Sequence, residues 1–201
     1  MFRHGQTDWN VQERMQGQVD TPLNMTGICQ AQELAEKLKN VPLEIIYSSD
    51  LERARDTATK VSSKMRLEIL HTDFLRENSF GEAEGLLYTE VKEKFGLELW
   101  ENYRSMSDAH YSVGFPGGET KEQSVTRVLN LFKKIISEGK YAQIGISTHG
   151  GIIRNLINYL RGFNSNTIPI PNCCVYKISY HLKADESEEW QVTGPIGSSL
   201  P

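Results

Sequence analysis

A chain of 201 residues, 38% hydrophobic and 24% charged, is long enough to bury one sizeable core and is neither fibrous nor disordered in composition. Its net charge of −4 supplies no global field to draw it onto nucleic acid or an anionic membrane, so any anion it binds must be held by a local group of arginines. Three cysteines, two of them adjacent at Cys173 and Cys174, make no disulfide framework and point to a reducing, cytoplasmic setting, and neither a membrane-spanning run nor a leader pattern is expected.

Met1 and Phe2 read as the tail of a strand, after which Arg3 and His4 stand side by side with Gly5 behind them. In TGICQAQELAEKLKN the apolar residues Ile28, Ala31, Leu34, Ala35 and Leu38 have helical spacing, with Thr26 as the expected N-cap. LEIIY at 43–47 is a short buried-strand run. SSDLERARDTATKVSSKM follows as a helix, with Ser48 or Ser49 as cap and Asp50 and Glu52 in its first turn. A further strand is expected at Leu67–Leu70.

From Gly85 to Gly118 the pattern changes to one short helix, TEVKEKFG, capped by Thr89, and then a polar segment dotted with aromatics. This stretch reads as an insertion over one end of a single domain spanning the chain. A long amphipathic helix from about Glu119 to Glu138 follows, with Val125, Val128, Leu129, Phe132, Ile135 and Ile136 on one face. AQIGIST is a buried strand, GGIIRNLINYLRG a helix ending at Gly162, and VYKISYHLKADESEEWQV a hairpin turning at Ala184–Ser187.

Strands alternating with helices imply an α/β fold, a three-layer α/β/α sandwich around a mostly parallel sheet. Ligands bind such sheets beyond the carboxyl ends of the strands. Arg3-His4, Ser48-Ser49 and His149-Gly150 each follow a strand and are expected at that one edge.

No single piece of this set is distinctive, but the order is. RHGQTDWN, GQVDTPLNMTG, SSDLERARDTA, LRENSFGEAEG, PGGET and STHGGIIRNL occur in succession, each at an expected loop or strand edge. Together they resemble the histidine phosphatase superfamily, which includes cofactor-dependent phosphoglycerate mutases and many small phosphatases. The likeness runs from Phe2 to the hairpin after Cys174, and implies the phosphoglycerate mutase-like fold.

The resemblance assigns His4 as a nucleophile that carries a phosphoryl group as phosphohistidine, which divides one hard displacement into two easier ones. It assigns Arg3 and Arg53 as the phosphate clamp. That role suits arginine, whose planar fork binds two phosphate oxygens and stays charged. The same arginines disfavour imidazolium at His4. His149 matches the second histidine, which donates to the transferring group, with Gly150 beside it. Asn10 matches a further phosphate contact, though it equally suits a helix cap, and Gln16 and Gly17 match the substrate-facing loop. Arg55 reads as a solvated neighbour.

A leaving alkoxide needs a proton, and general acids contribute roughly 10²- to 10⁴-fold. Gly150 after the second histidine excludes the branch that uses an aspartate there. The E-x-x-F-G pattern selects Glu77, with Glu84 as second choice and Glu82 as surface. Trp100, Tyr103, His110 and Tyr111 are candidates to cap the site, and Glu119 borders either the pocket or a helix start.

SFGEAEG and FPGGET look like the small phosphatases, so the expected activity is hydrolysis of a small phosphorylated metabolite such as a sugar phosphate or α-ribazole phosphate. A cofactor-dependent phosphoglycerate mutase is the alternative, and a silent binding protein on the same fold a more distant one. No metal ligand spacing and no dinucleotide fingerprint occur, so no metal or cofactor is implied, and a homodimer is left open. Relatives of this kind carry about five strand residues before the Arg-His pair against two here, so native residues are expected ahead of Met1.

Overall fold

The computed structural model describes residues 1–163, 168–183, 185 and 187–196. Among these residues six strands form one sheet: β1 (Phe2–Arg3), β2 (Ile45–Ser49), β3 (Ile69–Thr72), β4 (Ile144–Thr148), β5 (Val175–Leu182) and β6 (Glu188–Ile196), in the order β3-β2-β4-β1-β5-β6. Neighbours among β3, β2, β4 and β1 are parallel, while β5 runs antiparallel to β1 and pairs with β6 as an edge hairpin. Every residue of β2 is buried, as a parallel strand covered on both faces requires. Both strand runs lie two residues later than their apolar patterns suggested, at Ile45–Ser49 and Ile69–Thr72. In the hairpin turn expected at Ala184–Ser187, Ala184 and Glu186 lie outside the described residues.

Among the described residues seven helices accompany the sheet: α1 (Asp8–Val11), α2 (Met25–Leu38), α3 (Glu52–Met65), α4 (Tyr88–Phe95), α5 (Leu97–Arg104), α6 (Lys121–Glu138) and α7 (Gly150–Leu160). Alternation along β2 divides the core. Ile45 and Tyr47 pack with Val128, Phe132 and Leu156 of α6 and α7, whereas Ile46 packs with Leu34, Ala58 and Val61 of α2 and α3. A further cluster joins Met15, Phe80 and Phe115 to Val91 and Trp100 of the two short helices, which gives the 85–118 stretch its own small apolar centre. Among the described residues no helix is long and apolar enough to cross a membrane.

Three expected caps are corrected. Asn24, not Thr26, caps α2, its side chain accepting from the Gly27 amide at 2.9 Å. Helix α3 begins after Leu51, without a side-chain cap at that position, so neither Ser48 nor Ser49 serves. Asp20 accepts from the Glu52 amide at 2.7 Å instead, and Ser49 is engaged elsewhere. Helix α4 starts after Leu87, with the Glu90 carboxylate accepting from the Leu87 amide at 2.6 Å, so Thr89 lies inside it. Helix α6 begins at Lys121 rather than Glu119, capped by Thr120.

Gly5 requires its missing side chain for a reason internal to the fold. A Cβ there would overlap the carbonyl oxygen of Gly27 and sit 2.9 Å from its carbon, and a Cβ on Gly27 would meet the Gln6 backbone. The loop after β1 thus lies directly on the first turn of α2, backbone against backbone, where nothing can swing aside. Gly27→Ala is expected to cost about 1–3 kcal/mol, the usual range for overpacking. At this chain length that corresponds to a melting temperature lower by on the order of 5 °C in thermal denaturation.

Candidate active site

The carboxyl ends of β1, β4 and β2 deliver Arg3-His4, Thr148-His149 and Ser49 to one sheet edge. There a cavity of about 210 Å³ is lined by Arg3, His4, Asn10, Gln16, Arg53, Glu77 and Gly150 among others. Seven of the nine expected site residues therefore share one wall. His149 is buried beside it, and Gly17 acts from behind.

His4 is 2% exposed, and its Nδ1 lies 2.7 Å from the carbonyl oxygen of Gly5. A carbonyl can only accept, so Nδ1 carries the ring proton and Nε2 is left with its lone pair. Burial first, and then the charges of Arg3 and Arg53, push the His4 pKa well below 6.5. The imidazole is therefore neutral and poised as a nucleophile across the physiological range.

His149 packs against it, ring centroids 5.2 Å apart. Its Nε2 is 2.8 Å from Ser49 Oγ, and its Nδ1 is buried without a partner among the described residues. Burial and the nearby charge of Arg53 likewise lower its pKa well below 6.5.

These two neutral imidazoles make stability depend on pH. Because their folded pKa values lie below the unfolded value, the unfolded chain binds more protons between the two. Stability is thus complete above about pH 6.5 and is lost as pH falls toward the folded values, at up to about 1.4 kcal/mol per pH unit per histidine. The melting temperature is expected to fall between pH 7 and pH 5, and His4→Ala is expected to flatten that slope in thermal denaturation.

Arg3 donates from Nη1 to the Ile170 carbonyl at 2.6 Å. Arg53 is fully buried, and donates to the carbonyls of Val19 at 2.8 Å and Gly17 at 2.7 Å. Gly17 thus holds the clamp through its backbone rather than touching the cavity. The Nε of each arginine is buried without a partner among the described residues. Buried polar groups are normally paired, so an unpaired donor on each of two guanidinium groups beside a nucleophile marks a place for an anion. Arg55 is exposed.

Glu77 is 8% exposed and caps α7 from the side. Its Oε2 accepts from the Gly151 amide at 2.9 Å, and its Oε1 from Ile152 at 3.1 Å and Asn78 at 3.0 Å. A Cβ on Gly151 would lie 2.5 Å from Oε1, so only glycine there admits the carboxylate. Glu84 is taken up elsewhere, accepting from the amides of Gln18 at 3.0 Å and Phe80 at 2.9 Å and so pinning the substrate loop. Glu82 is exposed beside Lys94, 3.2 Å away.

Asn10 lies on the cavity and in a capping box at once: its Oδ1 accepts from the Thr7 amide at 3.1 Å, leaving its NH₂ group to donate. Gln16 receives the hydroxyls of Thr7 and Thr21 on its oxygen, which likewise turns its NH₂ outward. Asn172, which sequence reading passed over, donates to the His4 carbonyl at 3.1 Å and to Asn10 at 3.2 Å.

Of the expected cap residues, Trp100 and Tyr103 line the cavity and His110 and Tyr111 do not; Tyr111 stacks on Tyr159 instead. Buried Lys121, its pKa pushed down to about 8 by burial, donates to the carbonyls of Asn102 and Ser105 and so anchors the end of α5. Glu119 does not border the pocket. It pairs with Arg127 at 2.9 Å, and Arg127 in turn donates to the carbonyls of Phe74, Arg76 and Glu77, fixing the segment that carries the candidate acid. Sequence reading also passed over Arg14, Arg104 and Arg154 on the cavity wall. Only Arg154 carried a local sign, standing one helical turn after Gly150. Among the described residues no three His, Cys, Asp or Glu side chains are grouped to hold a metal ion.

Residues 1–193 match the model of the histidine phosphatase superfamily (branch 1). A phosphoglycerate mutase-like protein of Arabidopsis thaliana is 37% identical over 164 residues, covering 80% of this chain and 70% of its own. A metal-independent phosphoserine phosphatase of the same plant is 34% identical, covering 80% of this chain and 66% of its own. A mycobacterial glucosyl-3-phosphoglycerate phosphatase, solved in complex with VO3, superposes with a TM-score of 0.80 at 30% identity, covering 96% of this chain and 95% of that one.

Proposed function

Because this chain belongs to branch 1 of the histidine phosphatase superfamily, we propose that it hydrolyses a small phosphomonoester through a phosphohistidine on His4 Nε2. One observation carries the reading: Nδ1 is committed to the Gly5 carbonyl, so the only lone pair of a buried, neutral imidazole stands between two arginines that each keep an unpaired donor.

In the first step Nε2 attacks phosphorus in line. The P–O bond to the alcohol breaks and its electron pair leaves on oxygen. Arg3 and Arg53 neutralise the equatorial oxygens, with Asn10 and Gln16 as further donors. With Ser49 Oγ donating to His149 Nε2, the unpaired Nδ1 carries a proton and adds one more donor. Glu77 Oε2, which accepts one amide against two for Oε1, carries the proton that the departing alkoxide takes. In the second step the resulting carboxylate accepts a proton from water, which attacks the phosphohistidine and releases phosphate, restoring Nε2.

Glu77→Gln is expected to lower kcat on alkyl phosphates by about 10²- to 10⁴-fold while sparing p-nitrophenyl phosphate, whose leaving group needs no proton. Comparing the two leaving groups in steady-state assays checks this, and equal losses would move the acid role elsewhere.

The test of the whole reading is a rapid-quench reaction followed by peptide mass spectrometry, with phosphate release measured in parallel. A phosphorylated His4 peptide with release of inorganic phosphate is expected. Isomerisation of 3-phosphoglycerate without phosphate release would instead support the mutase.

A further inference from the structure

His4 can attack only while its ring proton sits on Nδ1, and that depends on where the Gly5 carbonyl points. With the proton on Nε2 instead, the attacking atom would have no lone pair. Neither of the two peptide units that follow His4 belongs to a strand or helix, since β1 ends at Arg3 and α1 begins at Asp8. Each is held from outside by one side chain. In the first, the Gly5 amide donates to Thr57 Oγ1 at 3.0 Å. In the second, the Gln6 amide donates to Gln30 Oε1 at 2.9 Å. A trans peptide unit is planar, with its N–H and C=O pointing opposite ways. Gln30 therefore fixes from behind the plane whose carbonyl receives the His4 Nδ1 proton at 2.7 Å.

Both partners are themselves aimed. Thr57 is 0% exposed, and its hydroxyl donates to the Arg53 carbonyl at 2.8 Å, which turns an oxygen lone pair toward Gly5. The bond to Arg53 alone would satisfy a threonine inside a helix, so the bond it accepts from Gly5 is additional. That second bond ties the nucleophile's loop to the turn of α3 that carries the buried clamp arginine. An N–H meets only an acceptor, so the Gln30 amide oxygen, and not its NH₂ group, faces Gln6. Gln30 stands on α2 three residues after Gly27, whose backbone the same loop already touches. Neither Thr57 nor Gln30 lines the cavity.

We propose that Thr57 and Gln30 are positioning residues for the phosphoryl transfer: they hold the Gly5 carbonyl on His4 Nδ1, and so keep the Nε2 lone pair free and aimed at phosphorus. The proposal rests on the hydrolase reading above, and adds to it two residues that touch neither substrate nor the reacting atoms. When either hydrogen bond is lost the loop can pivot about Gly5, and a misplacement of about 1 Å can slow a reaction on the order of 100-fold. Binding of phosphate is affected less, because the Arg53 guanidinium keeps its bonds to Val19 and Gly17.

Thr57→Val and Gln30→Leu remove the two acceptors, and Thr57→Ser keeps the hydroxyl. Each variant is followed by single-turnover phosphorylation of His4 with p-nitrophenyl phosphate, by titration with inorganic phosphate, and by proton–nitrogen correlation NMR of the imidazoles. The His4 signals are identified by their loss in His4→Ala. The wild-type protein is expected to show Nδ1 protonated and Nε2 bare. Thr57→Val and Gln30→Leu are each expected to slow phosphorylation by about 10- to 100-fold while changing the Kd for phosphate by no more than about threefold. Their His4 signals are expected to shift toward the Nε2-protonated form. Thr57→Ser is expected to restore the wild-type spectrum, with a rate within about threefold of wild type. Should Thr57→Val fail to fold, Gln30→Leu, at a half-buried position, decides alone. Rates within about threefold of wild type in the folded acceptor-deleted variants, or slowed rates with the His4 tautomer unchanged, overturn the proposal. Absence of phosphohistidine in the wild-type protein overturns the hydrolase reading, and the spectra then uphold or overturn the hold on the Gly5 carbonyl by themselves.

Discussion

Replacing His4 with alanine is expected to lower kcat by about 10⁴-fold or more and to abolish the phosphoprotein adduct, because no other side chain can take over its position. The ring sits at the end of β1, its amide donating to Thr148 at 3.0 Å and its carbonyl receiving Asn172, so the backbone stays in place when the ring is removed. The nearest alternative nucleophile, His149, accepts from Ser49 on Nε2 and carries its proton on Nδ1, so it keeps no free lone pair for attack. The variant should therefore remain folded, and should bind phosphate without turning over. Retention of more than about 1% of wild-type kcat on p-nitrophenyl phosphate would place the nucleophile elsewhere.

Arg53→Met is expected to lower kcat/KM by about 10²- to 10³-fold, the usual effect of removing one donor from charge developing in a transition state. Arg53 is a buried cation whose direct hydrogen bonds go to the carbonyls of Val19 and Gly17 and, at 3.5 Å, to the Thr21 hydroxyl, with no carboxylate among them. Burial first, with a smaller push from the charge of Arg3, takes its pKa down to about 10 against the opposing charges of Glu77 and Asp20, so it remains charged at neutral pH. A desolvated charge of this kind is costly, and a phosphate dianion relieves that cost on binding. Inorganic phosphate should accordingly raise the melting temperature of the wild-type protein and not that of Arg53→Met. Arg53→Lys keeps the charge but cannot span Val19, Gly17 and a ligand with one fork, and should still lose at least about tenfold. Wild-type kinetics in Arg53→Met would remove it from the clamp.

The motifs were legible where chemistry and local structure coincide along the chain. Arg3 and His4 directly follow a strand, and His149 directly precedes a helix, so residue type and position could be read together. The caps misread along the chain failed for a common reason. Thr26, Ser48, Ser49 and Thr89 are all acceptable caps by residue type, but whether a hydroxyl caps its own helix depends on what else reaches it. Ser49 is taken by His149 from 100 residues away, and Asp20 caps α3 from a different loop. The choice between Glu77 and Glu84 had the same character, since both stand in one motif and differ only in which amides surround them.

The ordered motifs gave the class of reaction through their resemblance to the histidine phosphatase superfamily, while the chain's own pattern determined the alternation of strands and helices and placed Arg3-His4 and His149 at one sheet edge. These follow from periodicity and from residue pairs only one or two positions apart, which no packing arrangement can separate. The tertiary structure alone decided which nitrogen of His4 is free, which glutamate caps α7, and that Arg14, Arg104 and Arg154 share a wall with the clamp. The physical reason is that hydrogen-bond satisfaction and desolvation are properties of a neighbourhood in space. That neighbourhood is assembled here from segments as distant as Glu77 and Ile152, 75 residues apart.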